Sequence, residues 1–200
     1  RGVLLFGGYQ WDAMSGAEIA QGHNSAFVDK QNRSFVVYHT RFSNGGEGHQ
    51  VRVHQLFLND EGWLMAAPFE FDGETITDEA IASKASIADA DIAGDYQFMR
   101  HQYGQNTKAK AFETPVNITL NADGTITGAE KGTWKRTAGT DYIHLTINNV
   151  VYRGVLVKQT VDYTNIPAIA ISALSSSSGS LTMGQNNFTY QQEVWAVKAD

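Results

Sequence analysis

The chain contains no cysteine among its 200 residues. Without cysteine it has no disulfide framework, no thiol nucleophile and no cysteine-ligated metal site. This absence is compatible with both a secreted and a cytosolic protein. No apolar run approaches the roughly 20 residues that a membrane-spanning helix requires, so we expect no membrane partner.

Positive charge is also scarce, because 15 lysines and arginines stand against 21 aspartates and glutamates, for a net charge of −6. The basic residues are scattered along the chain, so no local patch would attract phosphate. We therefore expect no nucleic-acid partner. A hydrophobic content of 42% and a charged content of 18% are those of an ordinary globular chain.

What the sequence has in abundance is the alternation of apolar and polar residues that is typical of strands, whereas helical periodicity is scarce. This pattern predicts an all-β protein. Turn sequences at 121–124 and 148–149 lie between alternating runs and predict hairpins. The clearest predicted strands are Val3–Phe6, Ser25–Asp29, Phe35–Phe42, Gln50–Leu58, Tyr96–His101, Val116–Asn121, Thr125–Gly128, Gly132–Arg136, Tyr142–Asn148, Val150–Gln159, Ile169–Ser175 and Thr189–Lys198.

The predicted strands fall into two groups, which predicts two domains at residues 1–71 and 94–200. The linker at 72–93 is Ala-rich, and a Thr77 cap with a Gly94 stop predicts a turn or two of helix. The second group carries about eight strands joined by short turns, which favours a closed, lipocalin-like antiparallel barrel without free edges. We expect its aromatic residues to fill the barrel interior.

The first group is too small to be a stable domain by itself. Residues 1–65 offer about three or four strands with little to cover them, and an isolated sheet of that size is marginal in water. We therefore expect this sheet to need a partner surface. The opening "RGVLLFGGYQWD" is typical of a strand already under way, from which we expect a processed or cut chain.

Several motifs of the first group occur in an order that resembles a known family. They are "LLFGGYQW", "GHNSAFVD", "FVVYHTRF" and "HQVRVHQLFLNDEGWLMAAPFEF". Together they cover about residues 2–71 and resemble the last blade of the five-bladed β-propeller of glycoside hydrolase family 43 endo-arabinanases. The later run "GTITG…GTW…YRGVL…EVWAV" is similar to the C-terminal β-barrel of the longer bacterial members.

The resemblance implies an inverting endo-1,5-α-L-arabinanase that is secreted, extracellular or periplasmic, and bacterial. Inverting glycosidases use two carboxyl groups roughly 6.5–9.5 Å apart, with room for a water between them. In the family these groups come from earlier blades, and none of the carboxylates of residues 1–71 stands in a catalytic context. We expect no catalytic residue in this chain, and expect the chain alone to be inactive. Its expected partners are arabinan and the N-terminal propeller portion, which could be a separate chain.

His23 is the candidate metal ligand. In the family the histidine of the Gly-His-Asn-Ser turn points at the propeller axis and contacts a metal, usually taken as calcium. Calcium prefers six to eight oxygen ligands, so one imidazole cannot hold it alone. The resemblance therefore implies a Ca2+ site that forms only with the other blades. From the residues alone, a histidine held by backbone hydrogen bonds in a turn is the simpler interpretation.

Five other polar residues are candidates of lower rank. Asn24 could line a cleft floor or stabilise its turn. Arg52 and His54 share one strand face by the two-residue period and could border a substrate cleft or join the blade to the barrel. His39, His49 and His54 superficially suggest a zinc site, although no spacing fixes them on one face.

Two rival functions remain open at this stage. The first is a stand-alone carbohydrate-binding or lipocalin-like β-barrel module without catalysis. A cavity or a row of exposed aromatic side chains would support it. The second is an assembly domain whose β arm donates strands to another protein.

Overall fold

The computed structural model describes residues 2–102, 112–176, 179–183 and 186–199. The described chain is almost entirely β, as predicted. Its elements in chain order are β1 (Gly2–Leu4), β2 (Glu18–Val28), β3 (Ser34–Phe42), β4 (Gln50–Leu58), β5 (Leu64–Ala66), α1 (Asp78–Ser83), α2 (Asp89–Ile92), β6 (Gly94–Arg100), β7 (Val116–Leu120), β8 (Thr125–Gly128), β9 (Gly132–Arg136), β10 (Tyr142–Ile147), β11 (Val150–Thr160), β12 (Pro167–Ser175), β13 (Gly179–Met183) and β14 (Asn186–Lys198).

Most of the predicted strands form at or near their expected bounds, and β4, β8 and β9 match to the residue. The exception is β2, which begins at Glu18 rather than Ser25. Its register against β3 shifts twice, between Ile19 and Gly22 and again between Gly22 and Ser25. These irregularities break the period of two, so the first half of β2 has no strand signature. The three-residue β5 and the five-residue β13 were not predicted.

The linker forms two short helices, in agreement with the prediction of a turn or two. The Thr77 side chain accepts a hydrogen bond of 3.2 Å from the Ala80 N–H and so caps α1. Ile81 and Ile92 are buried, which fastens both helices to the rest of the molecule. Among the described residues, no helix has the length and apolarity needed to cross a membrane.

The second group of strands closes into an antiparallel barrel of eight strands. Neighbouring strands pair in chain order from β6 to β12, and β14 then pairs with both β12 and β6. The inward-facing side chains form a continuous apolar cluster that includes Tyr96, Phe98, Ile143, Tyr152 and Leu156. The interior is therefore a packed core built from alternate residues of each strand.

The first group forms a separate antiparallel sheet of four strands in the order β2-β3-β4-β5. One face of this sheet packs on the outer wall of the barrel through a second buried cluster. Trp195 belongs to this second cluster, not to the barrel interior, and Tyr142 packs against it. The expectation that the barrel aromatics fill the barrel is therefore wrong for these two residues, because β10 and β14 also carry apolar side chains on the face that the sheet covers.

The strand β1 lies apart from the four-stranded sheet. It pairs in parallel with β14, with Gly2 opposite Tyr190 and Leu4 opposite Gln192. The segment that follows also contacts the barrel side, since the N–H of Glu113 donates to the Gly8 carbonyl at 2.9 Å. The chain therefore contacts the barrel before it enters the sheet, and returns to it through the linker.

Candidate functional site at the junction of sheet and barrel

His23 lies in the irregular middle of β2 with a φ of 46°. This left-handed conformation is uncommon for a residue other than glycine, and it follows the irregular pairing around Gly22. The side chain is exposed, and its ring meets the His39 ring edge-on at a centroid distance of 4.9 Å. Asn24, the next residue, is exposed as well.

The three histidines of the suggested zinc site are not brought together. The His39 and His49 rings stack at 4.6 Å on the exposed face of the sheet. His54 is fully buried on the opposite face. No group of three or more metal-ligating side chains that could hold an ion occurs in the described part of the chain. The zinc interpretation is therefore wrong for these residues.

The same arrangement bears on the expected calcium ion. His23 offers nitrogen, its ring neighbour His39 offers nitrogen, and calcium requires an oxygen shell. The described residues alone do not fit a calcium site. His23 could at most supply one ligand to an ion whose other ligands come from water or from residues outside the described part.

Arg52 joins the sheet to the barrel. From β4, its Nε donates to Glu18 Oε1 at 3.2 Å, and its Nη2 donates to the Tyr163 hydroxyl at 3.0 Å. Tyr163 lies in the turn between β11 and β12 of the barrel. The guanidinium also stands 5.1 Å from the centre of the Phe42 ring and 3.5 Å from Glu70 Oε2. One side chain thus contacts four other segments of the chain: β2, β3, the stretch after β5 and the turn between β11 and β12.

His54 lies deeper in the same interface. Its Nδ1 donates to the Ala67 carbonyl at 2.7 Å, and its Nε2 lies 3.1 Å from the Tyr38 hydroxyl. Burial lowers the pKa of His54 to about 4, so the ring is neutral near pH 7.

Arg52 links the sheet to the barrel through its bond to Tyr163. His54 reaches the barrel by stacking its ring on that of Trp195, at a centroid distance of 6.2 Å. A place for either residue beside a substrate stays a prediction.

A buried carboxyl group from the barrel completes this interface. Glu193 Oε1 accepts hydrogen bonds from the Ala66 N–H at 2.8 Å, the Ser172 hydroxyl at 2.8 Å and the Trp195 indole N–H at 2.9 Å. Burial raises the pKa of Glu193 well above its ordinary value. Glu193 Oε1 therefore receives donors from both the sheet and the barrel.

Next to Arg52, several acidic groups meet at the turn between β11 and β12. Asp162 Oδ1 accepts a hydrogen bond from the Glu70 N–H at 3.0 Å. Burial, with smaller contributions from the charges of Glu18 and Glu70, raises the pKa of Asp162 to about 7. Burial also raises the pKa of Glu18, and the nearby Arg52 opposes this shift. Carboxyl groups therefore crowd the junction, and two of them, Glu18 and Glu70, pair with the buried guanidinium of Arg52.

Sequence reasoning did not identify the residues that build this junction from the barrel side. Glu193 begins the otherwise apolar run "EVWAV", and a charged residue next to apolar strand positions was an available signal. Tyr163 carried no such signal, because a tyrosine in a turn is ordinary in sequence and only the backbone shows its strained φ of 63°. On the sheet side, the role of Glu18 was not predicted, because its strand was not predicted to begin there.

These features define an all-β protein in which a barrel with a packed interior supports an exposed antiparallel sheet. Residues 68–184 match the family GH43_C, described as the C-terminal lipocalin-like domain. The chain belongs to this family, that of the C-terminal domains of glycoside hydrolase family 43. The resemblance seen in the sequence of the barrel is thereby confirmed.

Two curated relatives match the chain over most of its length. One is the extracellular endo-α-(1→5)-L-arabinanase of Thermotoga petrophila, 43% identical over 146 residues, which are 70% of this chain and 28% of the relative. The other is the extracellular endo-α-(1→5)-L-arabinanase 2 of Bacillus subtilis, 36% identical over 180 residues, 88% of this chain and 36% of the relative. The chain therefore spans about a third of the length of these relatives.

Solved structures show the same fold across nearly the whole chain. The family 43 glycoside hydrolase YxiA of Bacillus licheniformis is 32% identical with a TM-score of 0.78, over 97% of this chain and 38% of that one. The endo-1,5-α-L-arabinanase of Thermotoga petrophila is 36% identical with a TM-score of 0.75, over 98% of this chain and 38% of that one. The likeness extends beyond the barrel, since both alignments include the four-stranded sheet.

Proposed function

We propose that this chain is the C-terminal part of a secreted, inverting endo-1,5-α-L-arabinanase, in which the four-stranded sheet is the last blade of a β-propeller. The proposal depends on how much of each chain is aligned. The solved arabinanase of Thermotoga petrophila aligns with 98% of this chain, sheet included, whereas the chain covers 38% of that enzyme. A secreted location agrees with the word extracellular in the names of both curated relatives.

The exposed face and edge of the sheet are evidence that a further blade lies beside it. β2 lies at the end of the strand order β2-β3-β4-β5, and beyond the bridge between Glu18 and Tyr9 no described strand pairs with the outer side of this eleven-residue strand. Phe27, Val28 and Val51 are large apolar residues that remain exposed. A long edge strand with exposed apolar side chains normally requires a covering surface. The preceding blades would provide it.

In this arrangement the chain contributes support and no catalytic carboxyl group. The barrel covers one face of the last blade, and the Arg52 and Glu193 contacts fix the position of the blade. We propose that His23 contributes one ligand to a calcium ion at the propeller axis, with the other ligands from water and the preceding blades. This ion would add positive charge near the catalytic acids, and Asn24 would lie beside it on the cleft floor.

The alternative of a lipocalin-like module that binds a ligand inside its barrel is less well supported. The barrel interior is filled by buried side chains such as Phe98, Ile143 and Leu156. A ligand would therefore have to bind outside the barrel.

The test is arabinan cleavage by two forms of the protein, this chain alone and this chain joined to the segment that precedes it. We expect cleavage of linear α-1,5-arabinan only by the longer form, with products that are first released in the inverted anomeric configuration. Polysaccharide cleavage by the pure 200-residue chain would overturn the proposal.

A further inference from the structure

The side chain of Tyr163 is the most unusual feature of the junction. It lies in the tight turn between β11 and β12, in which the Thr164 N–H donates to the Val161 carbonyl at 3.0 Å. Its φ of 63° occupies the turn position where glycine or asparagine is preferred. A bulky residue with positive φ is a backbone outlier, and such strain collects at functional sites.

The ring of Tyr163 is exposed, yet it is held in place. Its exposed fraction is 60%. Its hydroxyl accepts a hydrogen bond from Arg52 Nη2 at 3.0 Å, and Arg52 is itself bonded to Gln50 Oε1 at 2.8 Å and to Glu18 Oε1 at 3.2 Å. An aromatic side chain that is fixed before binding loses little conformational entropy when a ligand arrives.

A cleft of about 340 Å³ lies between Tyr163 and the loop that joins β3 to β4. Its other walls include Phe42, Asn44, His49 and Gln50, so aromatic rings and uncharged hydrogen-bonding groups share the lining. The volume falls within the range of small-molecule sites. Tyr163 also lines a second cleft, of about 370 Å³, together with Glu70, Asp72 and Asp162.

The polar groups of the first cleft are oriented by their own contacts. Arg41 Nε donates to His49 Nε2 at 2.9 Å, which places a ring proton on His49 Nδ1. The Asn44 amide donates to the Ser15 carbonyl at 3.1 Å and ties the loop to the segment before β2. A donor, amide groups and an aromatic face are what a neutral sugar needs, because its hydroxyls form hydrogen bonds and its C–H groups stack on a ring.

We propose that this cleft is an oligosaccharide-binding subsite, in which Tyr163 of the barrel is the stacking surface and the β3–β4 loop supplies hydrogen bonds. The subsite binds a neutral arabino-oligosaccharide segment, and the identity of this sugar rests on the proposed function. It gives the barrel a direct part in substrate binding.

The test uses the longer protein that carries this chain with the segment preceding it. Tyr163→Gly removes the ring and suits the positive φ of the turn, so its loss of binding would not reflect a distorted turn. We expect this variant to raise the KM for polymeric arabinan about five- to tenfold with little change in kcat on a short oligosaccharide. Tyr163→Phe keeps the stacking surface and should stay within about twofold of the unaltered protein.

The matched control is Trp63→Ala. Trp63 is exposed to a similar degree, 48%, but lies in the turn between β4 and β5 outside the cleft. We expect the control to leave the KM unchanged. An unchanged KM in Tyr163→Gly, or an equal rise in Trp63→Ala, would overturn the subsite while arabinan cleavage itself continued.

A second measurement separates the subsite from the proposed function. If the longer protein cleaves no arabinan, the proposed function fails. Binding of linear arabino-, xylo- and cello-oligosaccharides is then measured by calorimetry on the same protein and its Tyr163→Gly variant. Binding of one of them that weakens at least fivefold in the variant would support a saccharide subsite, and binding of none would overturn it.

Discussion

The backbone N–H of Ala66 in β5 donates to the buried Oε1 of Glu193 in β14 at a distance of 2.8 Å. This bond connects the last strand of the sheet directly to the strand that closes the barrel. Since both partners are fully buried, water cannot replace either of them. The interface therefore depends on a specific polar contact as well as on apolar packing.

Loss of the Glu193 side chain should be costly. Glu193→Ala leaves the donors of Ala66 and Ser172 without their acceptor and opens a cavity, which we expect to lower the free energy of unfolding by about 3 kcal/mol. Glu193→Gln retains an acceptor oxygen and should cost less than half of that. Urea denaturation of both variants measures the difference, and equal losses would show that the hydrogen bonds contribute little.

Arg52 and Arg153 offer a matched pair of sheet-to-barrel contacts. Arg52→Ala leaves Glu18 buried without its cation, and we expect a loss of about 3 kcal/mol. Arg153 pairs with Asp60 and Glu61 at 3.0 and 2.8 Å, but its side chain is 32% exposed. Arg153→Ala should therefore cost less than about 1 kcal/mol. Urea unfolding of both variants compares their losses of stability. A larger loss in Arg153→Ala than in Arg52→Ala would contradict the importance assigned to Arg52.

Asp162 should make the protein less stable as the pH rises from about 4 to 7. Its pKa is about 7 in the folded protein against an ordinary value of 3.8, so between these values the folded state holds a proton that the unfolded state has released. Stability then falls with rising pH by at most about 1.4 kcal/mol per pH unit for this group.

The control for this pH dependence is Asp162→Asn, which keeps the oxygen that accepts from the Glu70 N–H. We expect denaturation midpoints of this variant to vary less between pH 4 and 7 than those of the unaltered protein. Identical pH profiles would show that another group, such as Glu18, is responsible.

Gly154 in β11 should tolerate no side chain. A Cβ at this position would lie 2.3 Å from the Ser172 carbonyl oxygen and 2.5 Å from the Ala173 Cβ of the neighbouring strand. We expect Gly154→Ala to cost about 3 kcal/mol, because the barrel wall must move. At Gly48 the nearest atom would be 3.7 Å away, so Gly48→Ala should change stability by less than about 0.5 kcal/mol. Thermal unfolding compares the two, and similar midpoints would refute the steric argument.

The proposed metal contact is tested on the longer protein by measuring bound calcium after dialysis. We expect His23→Ala to lower the calcium content, and we expect this chain alone to bind calcium weakly or not at all, because it lacks an oxygen shell. His49→Ala is the control, because the ring of His49 contacts that of His39, which in turn contacts that of His23. Unchanged calcium in His23→Ala would refute the assignment.

The sequence was sufficient to predict the strands and the barrel, because an antiparallel sheet with one buried face leaves its period in the chain. Gln50–Leu58 and Gly132–Arg136 were located to the residue for this reason. The period fails where the register shifts, so the start of β2 at Glu18 was not predicted.

The junction was less predictable than the elements that it joins. The sequence singled out Arg52 and His54, but left open whether they border a substrate cleft or join the sheet to the barrel. The answer depends on which part of the molecule covers β4, and the pattern of residues along a strand does not show this. The partners of Arg52 include Tyr163, which is 111 positions further along the chain. Contacts of this length follow from the docking of sheet and barrel, and no local signal marks them.

The parallel ladder between Gly2–Leu4 and β14 has a consequence for proteolysis. A protease that nicked the helical linker at 72–93 would sever the backbone between sheet and barrel without releasing either. The upstream piece would stay attached through β1, through the buried cluster and through the Ala66 and Glu193 bond. A nicked molecule should therefore migrate as one species on a native gel and separate into two only after denaturation.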